Sequence, residues 1–294
     1  MSDQRALPPS WAERIGALQR GELTVPQPRL AATVVLLREG GSGGMEAYLL
    51  RRRASMAFAG GMYAYPGGGV DLRDATTAIA WAGPSADEWA ARLGCTSETA
   101  RAVVCAAVRE TFEESGVLLA GADPESVVAD VSGESWRADR AALEAHQLTF
   151  AEFLTARGLV LRSDLLAGWA RWITPEFEER RYDTWFFVAA VPSGQRTAEV
   201  PGEADRVEWL APAEAVARVE AGDYLMLPPT VTTLRELRGH GSPAQALAGA
   251  AGRSLAPVMA RAVCDAEGRV SVSWDGHPEL TLQGMRGSGG SADV

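Results

Sequence analysis

Lysine is absent from this 294-residue chain, and all 28 of its basic residues are arginine. Without a side-chain primary amine there is no Schiff-base chemistry, and without a phosphate-loop lysine there is no Walker-type nucleotide hydrolysis. Cysteine is scarce. Cys95, Cys105 and Cys264 are far apart and odd in number, which fits packing residues in a reducing cytoplasm better than a disulfide scaffold. His146, His240 and His277 share no metal-ligand spacing, so none is a candidate for catalysis. No apolar run approaches the roughly 18 residues that span a bilayer. Met1 to Glu22 has neither the basic start nor the apolar core of a secretory leader. The expected location is therefore cytoplasmic, with no membrane partner. Acidic residues outnumber basic ones to give a net charge of −10, which argues against nucleic acid as a partner, because that binding needs clustered cations.

A hydrophobic share of 47% and a charged share of 22% are ordinary for a globular protein, and the length suits one large domain. Residues 1–28 carry Pro8, Pro9, Pro26 and Pro28 around a short amphipathic piece at Trp11 to Leu18. They read as a mobile or loosely docked arm. Ala32 to Arg38 and Glu46 to Arg52 read as two strands of a hairpin around a glycine-rich turn. That turn, Gly40-Gly41-Ser42-Gly43-Gly44, matches the G-x-S-x-G nucleophile elbow formally. An elbow needs a helix after it, and here a second strand is expected, so Ser42 is assigned to a turn.

A long helix is expected from Thr96 or Ser97 to Ser115, and a capping box at Thr149-Phe150-Ala151-Glu152 marks a shorter one. Trp169 to Thr174, Thr184 to Val191 and Arg206 to Leu210 read as strands. Pro212 to Glu220 and a Pro-started stretch within Tyr224 to Arg238 read as helices, the latter at the substrate mouth or at the contact of a homodimer. The main domain is expected over 29–238, with insertions at about 72–95 and 123–168. A C-terminal extension over 239–294 holds a hairpin, Val258 to Val263 with Arg269 to Trp274, and a flexible tail.

The chemistry concentrates between Tyr65 and Val117. Tyr65-Pro66-Gly67-Gly68-Gly69 opens that stretch, and Arg109-Glu110-Thr111-Phe112-Glu113-Glu114-Ser115-Gly116-Val117 closes it. On a helix Glu110, Glu113 and Glu114 project within one sector about 100° wide. Three carboxylates there are either solvated by water or neutralised by a hard divalent cation such as Mg²⁺ or Mn²⁺, which prefers oxygen ligands. Arg109 is placed at i, i+4 to brace Glu113. Gly116 stands where a helix takes its left-handed C-terminal residue.

This combination resembles the Nudix hydrolase family, whose box reads G-x5-E-x7-R-E-U-x-E-E-x-G-U with U aliphatic. Arg109, Glu110, Glu113, Glu114, Gly116 and Val117 match, whereas Thr111 stands in an aliphatic position. The first half is interrupted: Gly68 precedes Arg109 by 41 positions where the pattern allows 14, so 27 residues are extra. The slot of the first box glutamate falls on Asp74 counted forward and on Arg101 counted back. The resemblance implies an α/β/α sandwich around a mixed β-sheet, with helical insertions. It implies metal ligands at Glu110, Glu113 and Glu114 and at the carbonyl of Gly67. It also implies a catalytic set of Arg109, Glu110, Glu113 and an acidic residue after the box, for which Glu203 is the candidate, with Glu199 behind it. The implied activity is hydrolysis of a diphosphate linkage in a nucleoside diphosphate derivative.

A closer similarity is to the coenzyme A diphosphatase type. It rests on Leu49-Leu50, Arg53-Ala54, Gly61, Pro66-Gly67-Gly68, the R-E-T-F-E-E run and Trp172-Ile173-Thr174-Pro175 followed by Arg180-Arg181-Tyr182-Asp183-Thr184. The second arginine of that signature is missing, with Ala57 and Phe58 near its place. The substrate-binding candidates are Arg51 and Arg53 at the strand end, Gly68 and Arg181. Two other classes compete: a nucleotide-binding sensor of the same fold without hydrolysis, and a serine hydrolase using Ser42.

Overall fold

The computed structural model describes residues 9–41, 43–56, 59–71, 73, 79–198 and 204–285. The chain runs through α1 (Pro9–Gln19), β1 (Arg29–Glu39), β2 (Met45–Arg52), β3 (Tyr63–Ala64), β4 (Gly67–Gly69), β5 (Trp81–Ala82), α2 (Ala86–Leu93) and α3 (Ser97–Ser115). It continues with β6 (Ala120–Gly121), α4 (Glu134–Glu144), α5 (Phe150–Arg157), β7 (Val160–Arg162), β8 (Ala167–Ile173), β9 (Tyr182–Ala190) and β10 (Ala204–Leu210). Last come α6 (Pro212–Glu220), α7 (Pro228–Leu237), α8 (Pro243–Ala250), β11 (Pro257–Cys264), β12 (Arg269–Trp274) and β13 (Leu282–Met285). The class is α/β with a mixed sheet, as the sequence predicts. Among the described residues no helix is long and apolar enough to cross a membrane.

Two compact units divide the chain. The larger takes Leu30–Ala170 and Thr184–Ala256. Its strands run in the order β10-β2-β1-β9-β8, with β3 on β2 and β4 on β1. The first two strands form the expected hairpin, Leu37 opposite Ala47. A strand thus follows the glycine turn, where an elbow requires a helix; Ser42 itself lies outside the described residues. Helix α3 is the core of this unit. Val103, Val104, Ala107 and Val108 are fully buried among Val34, Leu36, Trp185 and Phe187 of the sheet.

The ends of α3 are set by local chemistry. The Thr96 side chain accepts from the Thr99 amide at its N-terminus, and Gly116 (φ 74°) ends it in the left-handed conformation, which costs glycine little. The predicted capping box at Thr149 is present, with both reciprocal bonds to Glu152. The two expected insertions meet in one small sheet, β5-β7-β6, where Trp81 pairs with Leu161 and Ala82 with Arg162.

The smaller unit takes Met1–Arg29, Arg171–Asp183 and Pro257–Val294, so it unites the arm with the C-terminal extension. Here β11 pairs in parallel with the end of β8, at Arg171, Trp172 and Ile173, and antiparallel with β12, which pairs with β13. In the arm, residues 9–19 form a docked helix over the amphipathic piece. Ala12 and Ile15 are buried, and Trp11 meets Phe177 edge-on at 4.9 Å. Two buried apolar side chains and an aromatic contact offset the ordering cost that a loose arm would avoid. The predicted tail, from Gly287 on, lies outside the described residues.

Candidate active site

Three consecutive glycines bring the two halves of the interrupted motif together. β4 pairs with β1, Gly67 opposite Thr33, Gly68 opposite Ala32 and Gly69 opposite Ala31, and each glycine meets the end of α3. The Gly67 amide donates to Glu114 Oε2 at 2.9 Å. A Cβ on Gly68 would lie 2.6 Å from Glu110 Oε2, so any larger residue would displace that carboxylate from its place. The Gly69 carbonyl accepts from Arg109 Nη2 at 2.9 Å. The residues between, some of them in β5 and α2, leave this contact intact.

Arg109 is nearly buried, at 7% exposure, and faces two carboxylates. Its Nη1 lies 2.7 Å from Glu110 Oε1 and 3.4 Å from Glu113 Oε1. Glu113 is itself 8% exposed, and burying a carboxylate requires such partners. The helix end adds to the negative charge, since the C-terminus of a helix carries the negative pole of its dipole. A guanidinium from the second insertion answers that pole: Arg140 Nε of α4 donates to the Glu113 carbonyl at 2.8 Å and to Glu144 Oε1 at 3.1 Å. The Ser115 carbonyl accepts from the Ala198 amide.

Thr111 fills the aliphatic position with its hydroxyl turned back on the helix, donating to the Ala107 carbonyl at 2.7 Å. The polar atom is thereby satisfied locally and the residue is fully buried. Arg101, one reading of the first-glutamate slot, fastens the first insertion: its Nη2 donates to the Ile79 carbonyl and its guanidinium lies over Trp81. Asp74, the other reading, is outside the described residues.

The donor set fits a hard divalent cation in chemistry: Glu110, Glu113 and Glu114 carry three negative charges against the one of Arg109. Among the described residues, no three acidic, histidine or cysteine side chains gather around one point. Glu110 and Glu113 turn onto Arg109, and Glu114 onto the Gly67 amide. A small cleft beside them is lined by Asp71, Arg73, Arg109, Glu113, His146 and Phe150, among others. Hydrogen bonding to Arg73 is the largest influence on the Asp71 carboxyl and holds it at about 2, with Arg109 adding to the effect.

The other sequence candidates fall elsewhere. Arg51 Nε is 2.6 Å from Asp205 Oδ1, and Arg53 Nε is 3.5 Å from the Ala204 carbonyl, so both reach the start of β10. Glu203 and Glu199 lie outside the described residues. Arg181 belongs to the smaller unit, is buried, and donates to the Thr174 and Pro26 carbonyls and to Met259 Sδ. A guanidinium committed to backbone carbonyls ties its own loop. Conversely, sequence reasoning did not single out Gly69 or Arg140. Gly69 was legible as the third glycine of the run; Arg140 stands in a stretch with no motif.

Comparison with known proteins agrees with this geometry. Residues 95–237 match the family model described as the NUDT19 Nudix domain. A crystal structure of a NUDIX hydrolase from Alicyclobacillus acidocaldarius superposes with a TM-score of 0.62 at 26% identity, covering 80% of this chain and all of that one. A Caenorhabditis elegans protein named among the nudix hydrolases is 28% identical over 198 residues, 64% of this chain and 54% of its own length. The acyl-coenzyme A diphosphatase NUDT19 of Xenopus laevis is 26% identical over 148 residues, 46% of this chain and 38% of its own. The chain thus spans about half, or less, of these curated relatives.

Proposed function

We propose that the chain is a Nudix hydrolase and that it hydrolyses the diphosphate linkage of a nucleoside diphosphate derivative with Mg²⁺ or Mn²⁺, coenzyme A or an acyl-coenzyme A being the favoured substrate class. The observation that carries this reading is the contact of Gly67, Gly68 and Gly69 with Glu114, Glu110 and Arg109. It reunites the box in space despite its interruption in sequence. Similarity to an acyl-coenzyme A diphosphatase supports the substrate class.

Glu110, Glu113 and Glu114 would hold the cation, with the Gly67 carbonyl as a further ligand. When bound, such a cation lowers the pKa of a water and neutralises charge on phosphate oxygens. Arg109 holds Glu110 and Glu113 in place, itself braced on the Gly69 carbonyl. Water attacks phosphorus, the bridging P–O bond breaks, and one of the helix carboxylates or Glu203 takes the water's proton. Arg51 and Arg53 supply guanidinium groups suited to substrate phosphates.

The test is to incubate the purified chain with Mg²⁺ or Mn²⁺ and a panel of coenzyme A, acyl-coenzyme A, NADH, ADP-ribose and nucleoside triphosphates, with an EDTA control. Metal-dependent release of 3′,5′-ADP and a phosphopantetheine is the expected result. Cleavage of another panel member relocates the substrate class within the family, and metal-independent turnover overturns the mechanism. Nucleotide binding without turnover of anything would replace the reading with a sensor.

A further inference from the structure

Strand β10 ends the sheet of the larger unit: among the described residues it pairs with β2 and with no other strand. The direction of its backbone groups follows from that neighbour. The Arg52 amide donates to the Met62 carbonyl on the β3 side, so the alternation of an antiparallel ladder turns the backbone of Arg51 and Leu49 towards β10. Arg206 and Glu208 stand opposite those two residues and bond to them. The N–H and C=O groups of Val207 and Trp209 therefore point out of the open edge. The Val207 side chain, 40% exposed, is one of three large apolar side chains exposed among the described residues.

A bare edge is a template for another strand. We propose that this one takes a second copy of itself, β10 lying antiparallel on β10 about a two-fold axis through Val207, to form a homodimer. Charge sets the register. With the axis at Val207, Arg206 of each copy stands opposite Glu208 of the other, and opposite charges so placed attract. Moving the axis by one residue either way still pairs the outward backbone groups, but it sets Glu208 against Glu208 or Arg206 against Arg206, which is destabilising. Glu208 is fixed for the role: its Oε1 accepts from the Tyr63 and Tyr224 hydroxyls, each at 2.8 Å, and those rings stack with centroids 4.0 Å apart. Arg206 is half exposed and reaches Glu208 of its own strand at 2.7 Å, so its guanidinium already lies on the face where the other copy's carboxylate would arrive. On the opposite face Val207 meets Val207, an apolar pair. The register shift between Ala204 and Arg206 leaves Arg206 to Leu210 regular. Charges on an edge ward off foreign strands, whereas this alternation of signs accepts its own copy.

The experiment is sedimentation velocity on the full chain from about 1 to 100 µM, a range that covers small interfaces. A concentration-dependent equilibrium of monomer and dimer is expected, and a monomer throughout overturns the proposal. Arg206→Glu sets like charges opposite each other and should weaken the dimer at least about tenfold, while its melting temperature stays close to that of wild type because the side chain is half exposed. Undiminished dimerisation of that variant overturns the register. Val207→Cys tests the axis: α-carbons in a hydrogen-bonded pair lie about 5.5 Å apart, within disulfide reach, so oxidised glutathione should link two copies through position 207, as peptide mass spectrometry would read. Asp205→Cys is the control, since four residues, or about 13 Å along the strand, separate it from its counterpart, and it should not link. A dimer that forms without linking at position 207 is joined elsewhere, and that outcome also rejects the proposal.

Discussion

At Gly67 and Gly68 the same added methyl group meets different neighbours. On Gly67 it would lie 2.8 Å from Thr33 Cα, backbone of the paired strand, whereas on Gly68 it meets the end of the Glu110 side chain. Backbone cannot yield cheaply, so Gly67→Ala should cost about 1–3 kcal/mol of stability as overpacking. A carboxylate can rotate away, so Gly68→Ala should melt within a few degrees of wild type while losing most turnover. Thermal melts and kcat for both variants check the pair. Asp71 offers a pH test. Its folded pKa of about 2 lies below the ordinary 3.8, so its contribution is present above about pH 4 and fades as pH falls towards 2. The group is partly exposed and screened by solvent, which limits the effect to under about 1 kcal/mol. Asp71→Asn should therefore unfold at lower urea than wild type at pH 6, and the difference should shrink to nothing near pH 2. At this scale Arg109 and the three carboxylates were legible because a helix repeats every three to four residues. Arg140 was not, because only the folded chain brings an insertion helix against the end of α3.

Among the elements, α3 gave itself away through its length, its threonine cap and its terminal glycine, and its bounds match those read from sequence. The small sheet β5-β7-β6 did not, because strands of two or three residues show no periodicity and the pairing of Trp81 with Leu161 joins residues 161 − 81 = 80 positions apart. The second insertion read as an embellishment, yet it is part of the core. Phe153 of α5, 1% exposed, stacks on Phe112 of α3 with ring centres 5.2 Å apart and meets Trp136 of α4 at 6.1 Å. Phe153→Ala removes that stack and leaves a cavity, at a cost of about 3–5 kcal/mol. For a chain of this size, melting should fall by about 10 °C. A shift of only a degree or two would show that α5 is dispensable to α3.

For the whole molecule, the net charge of −10 makes anion binding a local matter and cation binding a global gain. The larger unit keeps three carboxylates at the negative end of a buried helix, with Arg109 and Arg140 against them. Such an arrangement carries repulsion that the proposed cation binding would require and stability does not. A divalent cation that binds only the folded chain relieves it and stabilises by linkage, about 2.7 kcal/mol at a free concentration a hundred times the dissociation constant. Mn²⁺ or Mg²⁺ should then raise the melting temperature by about 5–10 °C, and EDTA should reverse the rise without unfolding the protein. Glu113→Gln removes one of the charges, so it should melt at or above wild type in EDTA and lose most of the metal-induced rise. Equal shifts in the two proteins would mean that the cation binds somewhere other than α3, and the site would have to be sought among other carboxylates.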